Sequence, residues 1–156
     1  MLCYLYMEKF SKFLVQAKKN TYALSGENEK NILKDGAKEL NYELKDFYYR
    51  DRYYGSSPFM GEEVVFLKNK VFWIMNYSGR CLNHTIPKDK IYDFLKKCLK
   101  KVSTKNPFRG PSKYKLNNYL YKNNTKGDIN NFCGDESIYY KNKKIYELKY
   151  HGGLIK

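Results

Sequence analysis

A stretch of this chain repeats itself. Sliding the sequence by 73 positions lays Phe59–Asn83 over Phe132–Lys156, and eight of these 25 gapless positions are identical. They are Phe59/Phe132, Gly61/Gly134, Glu63/Glu136, Lys68/Lys141, Asn69/Asn142, Lys70/Lys143, Tyr77/Tyr150 and Gly79/Gly152. Chance would supply about two in so biased a composition. Upstream the offset becomes 72, and Tyr42–Arg50 matches Tyr114–Lys122. A chain made of two similar stretches must fold both in similar ways, which removes most architectures.

The local signals agree in the two stretches. Tyr6, Phe10, Phe13, Leu14 and Ala17 recur at helical spacing near the start, and Ile91, Leu95, Cys98, Leu99 and Val102 do so later. Lys96, Lys97, Lys100 and Lys101 lie mostly opposite the second apolar stripe, and Pro87 fits a first helical turn. Lys-Asn-Lys marks a hairpin turn in both copies, since Asn tolerates the positive φ of a tight turn. In the returning strands Trp73, Met75 and Tyr77 share one face, as do Tyr146, Leu148 and Tyr150. Glu147 and Lys149 face water, whereas Phe72, Ile74 and Asn76 make a more apolar second face that invites a cover. The expected fold class is α+β: two tandem helix–strand–hairpin repeats with pseudo-twofold symmetry and mostly antiparallel sheet. The expected organisation is a single domain, 1–156, with internal repeats 6–83 and 87–156, joined through Asn83–Pro87, and a groove between them.

Composition narrows the function classes. The 156 residues are 42% hydrophobic and 17% aromatic, enough to bury a core and exclude wholesale disorder. No run approaches the length of apolar chain needed to span a membrane, and the first residues lack a secretory leader, so the expectation is a cytoplasmic protein without membrane association. The net charge of +14 favours anionic partners, but 26 of the 30 basic residues are lysine. Arginine's planar fork carries most base and phosphate recognition, and a lysine coat also arises from A/T-rich codons, so nucleic acid is a partner the composition allows without favouring. Cys3, Cys81, Cys98 and Cys133 show no disulfide framework. Cys81 and His84 give one pair at ligand spacing, but four ligands are lacking and the only other histidine, His151, is remote; no metal and no cofactor are expected.

Several residues carry candidate chemistry beside a plain structural alternative. Glu62 with Glu63, and Asp135 with Glu136, open the two hairpins; they either bind a cation or a cationic ligand or serve as acid and base across the groove, or merely face the lysine-rich turns. Arg109, in Pro107-Phe-Arg-Gly-Pro111, either binds a carboxylate or phosphate or pins its loop to a buried acid. His151, before Gly152 and Gly153, is either a base or a strand end. Trp73, Tyr77 and Tyr150 belong to an aromatic set that lines a ligand pocket, stacks bases, or fills the core.

Asp51-Arg-Tyr-Tyr-Gly55, Phe59-Met-Gly-Glu-Glu63, Trp73–Gly79, Pro107–Pro111, His151-Gly-Gly153 and the early run Ala17–Ala23 resemble an uncharacterised domain that occurs alone or after a helix-turn-helix module in Xre-type bacterial transcriptional regulators. The resemblance covers nearly the whole chain and implies a sensory, effector-binding role without an established reaction. This chain shows no helix-turn-helix module: the polar stretch 25–30 follows the first helix instead. Topology suggests a likeness to gyrase-inhibitor-like effector domains, which hold small molecules between two repeats. The leading expectation is a non-enzymatic small-molecule-binding sensory domain, with ligand of unknown identity and a site of Trp73, Tyr77, Glu63, Glu136, Arg109, Tyr150 and His151. The alternatives are a nonspecific nucleic-acid binder using lysine and tyrosine, and an enzyme with acidic residues in the cleft. Oligomeric state is not legible.

Overall fold

Alternation decides the structure of the strands from residue 38 onward. Segments such as Lys70–Cys81 and Lys143–Leu154 place an apolar side chain at every second position, and only a strand puts those on one face. The computed structural model describes residues 2–21, 31–82 and 85–156, with side chains from Tyr6. The side chain of Cys3, the end of the 17–23 run, the 25–30 stretch, Asn83 and His84 lie outside the described residues, and with them the Cys81–His84 pair and part of the join.

In chain order the elements are α1 (Leu2–Asn20), β1 (Asn31–Ile32), β2 (Lys38–Leu44), β3 (Phe47–Gly55), β4 (Phe59–Leu67), β5 (Lys70–Cys81), α2 (Lys88–Leu99), β6 (Lys113–Leu116), β7 (Tyr119–Asp128), β8 (Asn131–Tyr140) and β9 (Lys143–Leu154). All nine strands join one antiparallel sheet, in the order β1-β2-β3-β4-β5-β9-β8-β7-β6. Both helices pack on one face. Phe10 of α1 meets Phe72 and Trp73 edge-on, and Phe94 of α2 stacks on Tyr114 and Tyr119. Between sheet and helices lies the core, with Phe10, Leu14, Tyr49, Trp73, Met75, Ile91, Tyr121, Ile138 and Tyr146 among its buried members.

This architecture corrects the expected one. Among the described residues, two tandem helix–strand–hairpin repeats related by a pseudo-twofold axis do not form; a single nine-stranded sheet with two helices does. Two features account for the difference. Turns at Lys45-Asp46 and Asn117-Asn118 fold each expected single strand into a further hairpin, with Lys45 and Asn117 at φ 57° and 53°. Then β5 pairs with β9 over nine residues, from Trp73↔Leu154 to Cys81↔Tyr146. A short meander has two edges of unpaired N–H and C=O groups, and edge-to-edge joining satisfies one edge of each, so no groove separates the halves within the sheet.

Matched residues nevertheless hold matched local places. The tight turns fall at Lys68-Asn69 and Lys141-Asn142, all four at positive φ. A register shift follows Val65 in β4 and Ile138 in β8, which are offset by 73. Asp51 stands opposite Glu63 across β3 and β4, and Asn123 opposite Glu136 across β7 and β8.

Candidate functional site

Strand period two places Tyr49, Asp51 and Tyr53 of β3 on the helix-covered face, and puts Glu63, Tyr77, Glu136 and Tyr150 on the same side. A charged residue at such a position must be desolvated, and buried charges persist only when paired. Glu63 and Glu136 are both fully buried. Lys18 reaches from α1 to donate to Glu63 Oε2, and gives a second bond to the Phe108 carbonyl at 2.7 Å. Arg109 donates to Glu136 through Nε at 3.1 Å and Nη2 at 2.8 Å. Tyr121 and Tyr146 complete the Glu136 shell at 2.6 and 3.0 Å. The two acids therefore do not face each other across a cleft, and they do not face the lysine-rich turns; each closes a buried ion pair. Arg109 pins its loop to a buried acid, and Tyr121 Oη also accepts from the Gly110 N–H at 3.0 Å.

A third buried acid remains. Asp51 is 4% exposed and accepts a 2.5 Å hydrogen bond from the Tyr77 hydroxyl. Burial, and then the neighbouring Glu63 carboxylate, push its pKa up to about 7, against the pull of Tyr77, Lys18 and Arg109. Burial likewise drives Lys18 down, opposed by Glu63, and holds Tyr77 well above the ordinary phenol range.

Asp51 lies in the wall of a cavity of about 150 Å³ between the sheet and α2. The sheet contributes Asp51, Tyr53, Phe59 and Tyr77, and α2 contributes Tyr92, Leu95 and Leu99. Arg109 reaches it from the loop, while Lys38, Gly55, Ser56 and Lys96 complete the lining. Phe59 and Tyr92 meet at 77° with centroids 6.1 Å apart, and the Tyr92 hydroxyl donates to the Ser56 carbonyl, which fixes that wall. A volume of this order holds one small ring.

Of the residues expected at a site, Tyr77 and Arg109 come together here. Glu63 and Glu136 sit in the core beside them. Trp73 is in the core under α1, stacked on Phe132 at 5.6 Å with Lys18 Nζ 5.8 Å from its ring centre. Tyr150 donates to Asn123 Oδ1 at 2.8 Å on the other side of the β5–β9 seam. His151 points to the open face. That face carries a wider depression, about 720 Å³, lined by Tyr77, Tyr150 and His151 of the expected site residues and by exposed residues including Met60, Asn76, Lys126, Asp135 and Lys149. Cys133, His151 and Asn76 are cross-strand neighbours there, yet among the described residues no side-chain hydrogen bond joins them. Asp135 stands opposite Lys149 across β8 and β9.

The charge surplus is uneven: residues 85–156 hold 17 basic and 6 acidic residues, and residues 1–84 hold 13 and 10. All four arginines, however, are held by glutamates: Arg50 by Glu62, Arg52 by Glu39, Arg80 by Glu147 and Arg109 by Glu136. The forks that would grip phosphate are already engaged. Among the described residues there is no cluster of metal-ligating side chains and no helix long and apolar enough to cross a membrane.

Sequence reasoning passed over Asp51, Lys18, Tyr92 and the lysines at the mouth. Asp51 had a signal, an acid at an inward position of an aromatic strand. Lys18 had one too, a cation one turn beyond Leu14 on an apolar stripe.

A family described as a domain of unknown function, DUF5680, matches residues 51–155 of the chain, so the chain belongs to that family. The match begins at Asp51 and names no regulator. No curated protein and no solved structure matches the chain.

Proposed function

As a member of a family whose description assigns no activity, the chain has to be read from its own site, and we propose that it is a small-molecule-binding, sensory domain whose site is the cavity at Asp51. One observation carries this reading: a buried acid that titrates near neutrality faces a ring-sized cavity, and the hydroxyl of Tyr77 holds it in place. Acids with shifted pKa values cluster at functional sites, and ligands bind in concave sites with a few convergent polar groups. The motifs that resemble an uncharacterised domain, found alone or after a helix-turn-helix module, accord with an effector-binding role. Binding fits better than catalysis, because the other two buried acids, Glu63 and Glu136, are already engaged in ion pairs.

A library of ring-sized compounds, screened by thermal shift and followed by amide-resolved NMR, tests the proposal. Hits should raise Tm and perturb the amides of residues 51–56, 77 and 92–96. Hits that perturb only the open face, around Asn76 and His151, would overturn it, as would a library without any hit.

A further inference from the structure

The lining of this cavity is polarised, and that polarity selects a ligand. On the inner side, two cations and three acids share the dry core. Lys18 is taken by Glu63 and Arg109 by Glu136, in contacts whose side chains are almost wholly buried. Among the described residues, Asp51 has only the neutral Tyr77 hydroxyl as its hydrogen-bond partner. Its ionised form is therefore the unmatched negative charge of the interior, at the wall of a cavity that admits a guest. At the outer side stand Lys38 and Lys96, neither with an acidic partner among the described residues. Lys38 Nζ rests 5.7 Å from the centre of the Tyr53 ring. Between the two ends the walls are the aromatic rings of Tyr53, Phe59, Tyr77 and Tyr92.

Resting on the reading that this cavity is the binding site, we infer that it takes a small planar dipolar molecule, with an amidine-like or amino N–H edge on Asp51 and an anionic group at Lys38 and Lys96. A pure cation meets two repelling lysines at the entrance. A pure anion meets the Asp51 carboxylate at the floor. A ring carrying both satisfies each end and stacks on the aromatic walls, and a planar N–H pair matches a carboxylate as a guanidinium does.

The fold itself supplies a safe variant. At the place matching Asp51 the second stretch has Asn123, which accepts from Tyr150 as Asp51 accepts from Tyr77. Asp51→Asn should therefore keep the strand and the Tyr77 bond while removing the charge. Calorimetric titration of the full chain above neutral pH would use three probes: 4-amidinobenzoate with both ends, benzamidine with the N–H edge, and benzoate with the acid. The first should bind tightest. Asp51→Asn should weaken 4-amidinobenzoate and benzamidine by at least about tenfold and spare benzoate, as loss of a charged hydrogen bond requires. Replacing Lys38 and Lys96 together by Ala should weaken 4-amidinobenzoate by about threefold or more and leave benzamidine no weaker. Benzoate binding as tightly as benzamidine, with Asp51→Asn inert, would overturn the ligand class while leaving the cavity a binding site. Failure of all three probes, alongside screen hits that do perturb residues 51–56, would overturn the class in the same way; failure of every compound removes the site as well.

Discussion

The segment β2–β5 and the segment β6–β9 hold matched registers, yet their buried polar centres are built differently. In the second, Glu136 receives Arg109 twice, Tyr121 and Tyr146, while Asn123 accepts from Tyr150 and donates to the Gly110 carbonyl at 3.0 Å. That centre is saturated and neutral. In the first, Trp73 stands where Tyr146 does and its indole N–H finds no acceptor among the described residues; one oxygen of Glu63 is also unpaired there. Asp51 stands where Asn123 does and brings a charge the network does not match. Two similar frames thus carry two grades of satisfaction. A saturated buried network fixes a fold, and an unsaturated one costs it stability.

The largest test of that contrast is truncation of the two glutamates. Glu136→Ala strands Arg109, which cannot shed its proton, and should lower stability by about 3–5 kcal/mol in denaturant unfolding. Glu63→Ala strands Lys18, whose pKa burial already lowers and which Asp51 can still attract, so its cost should be smaller, about 1–3 kcal/mol. Equal losses would break the comparison.

Asp51→Asn comes next. Unfolded, the carboxyl loses its proton near pH 3.9; folded, it keeps it until about 7. The native state binds more protons between those values, so this group lowers stability as pH rises through that window, and the penalty is complete above it. The groups that face it are Glu63 of β4, Tyr77 of β5, Lys18 of α1 and Arg109 of the loop. The variant should therefore gain about 5 °C in Tm above pH 7 and almost nothing near pH 4. A gain independent of pH would show that the Asp51 charge is already matched.

The smallest effect belongs to the seam's outer face. Glu147 receives Arg80 across β5 and β9 at 2.9 Å, with the Arg80 side chain 60% exposed. Glu147→Gln should change unfolding free energy by less than about 0.5 kcal/mol, since water and salt screen such a pair. A larger loss would place the seam's strength in its ion pairs instead of in its nine paired residues.

The local reading of the chain carried far because periodicity is a local property. The stripe Phe10, Phe13, Leu14 and Ala17 reads as a helix face, and Trp73, Met75 and Tyr77 read as a strand face, without knowledge of what covers them. Lys-Asn turns are likewise local, since they depend on the backbone freedom of two residues. Where the reading stopped, the cause was distance along the chain. The tight turns at Lys45-Asp46 and Asn117-Asn118 lack glycine and were hidden in polar sequence. The pairing of β5 with β9 joins residues some seventy positions apart, and no local preference announces it.

By itself the sequence determined the helix stripes, the alternating strands, their tight turns and a chain able to bury an aromatic core, because backbone geometry and side-chain spacing settle those one neighbourhood at a time. Only the tertiary structure decided that the strands close into one sheet, that Glu63 and Glu136 are consumed in ion pairs, and that Asp51 is left facing a cavity. Whether a charge is matched depends on what distant segments bring within a few ångströms of it, and on how much water they exclude.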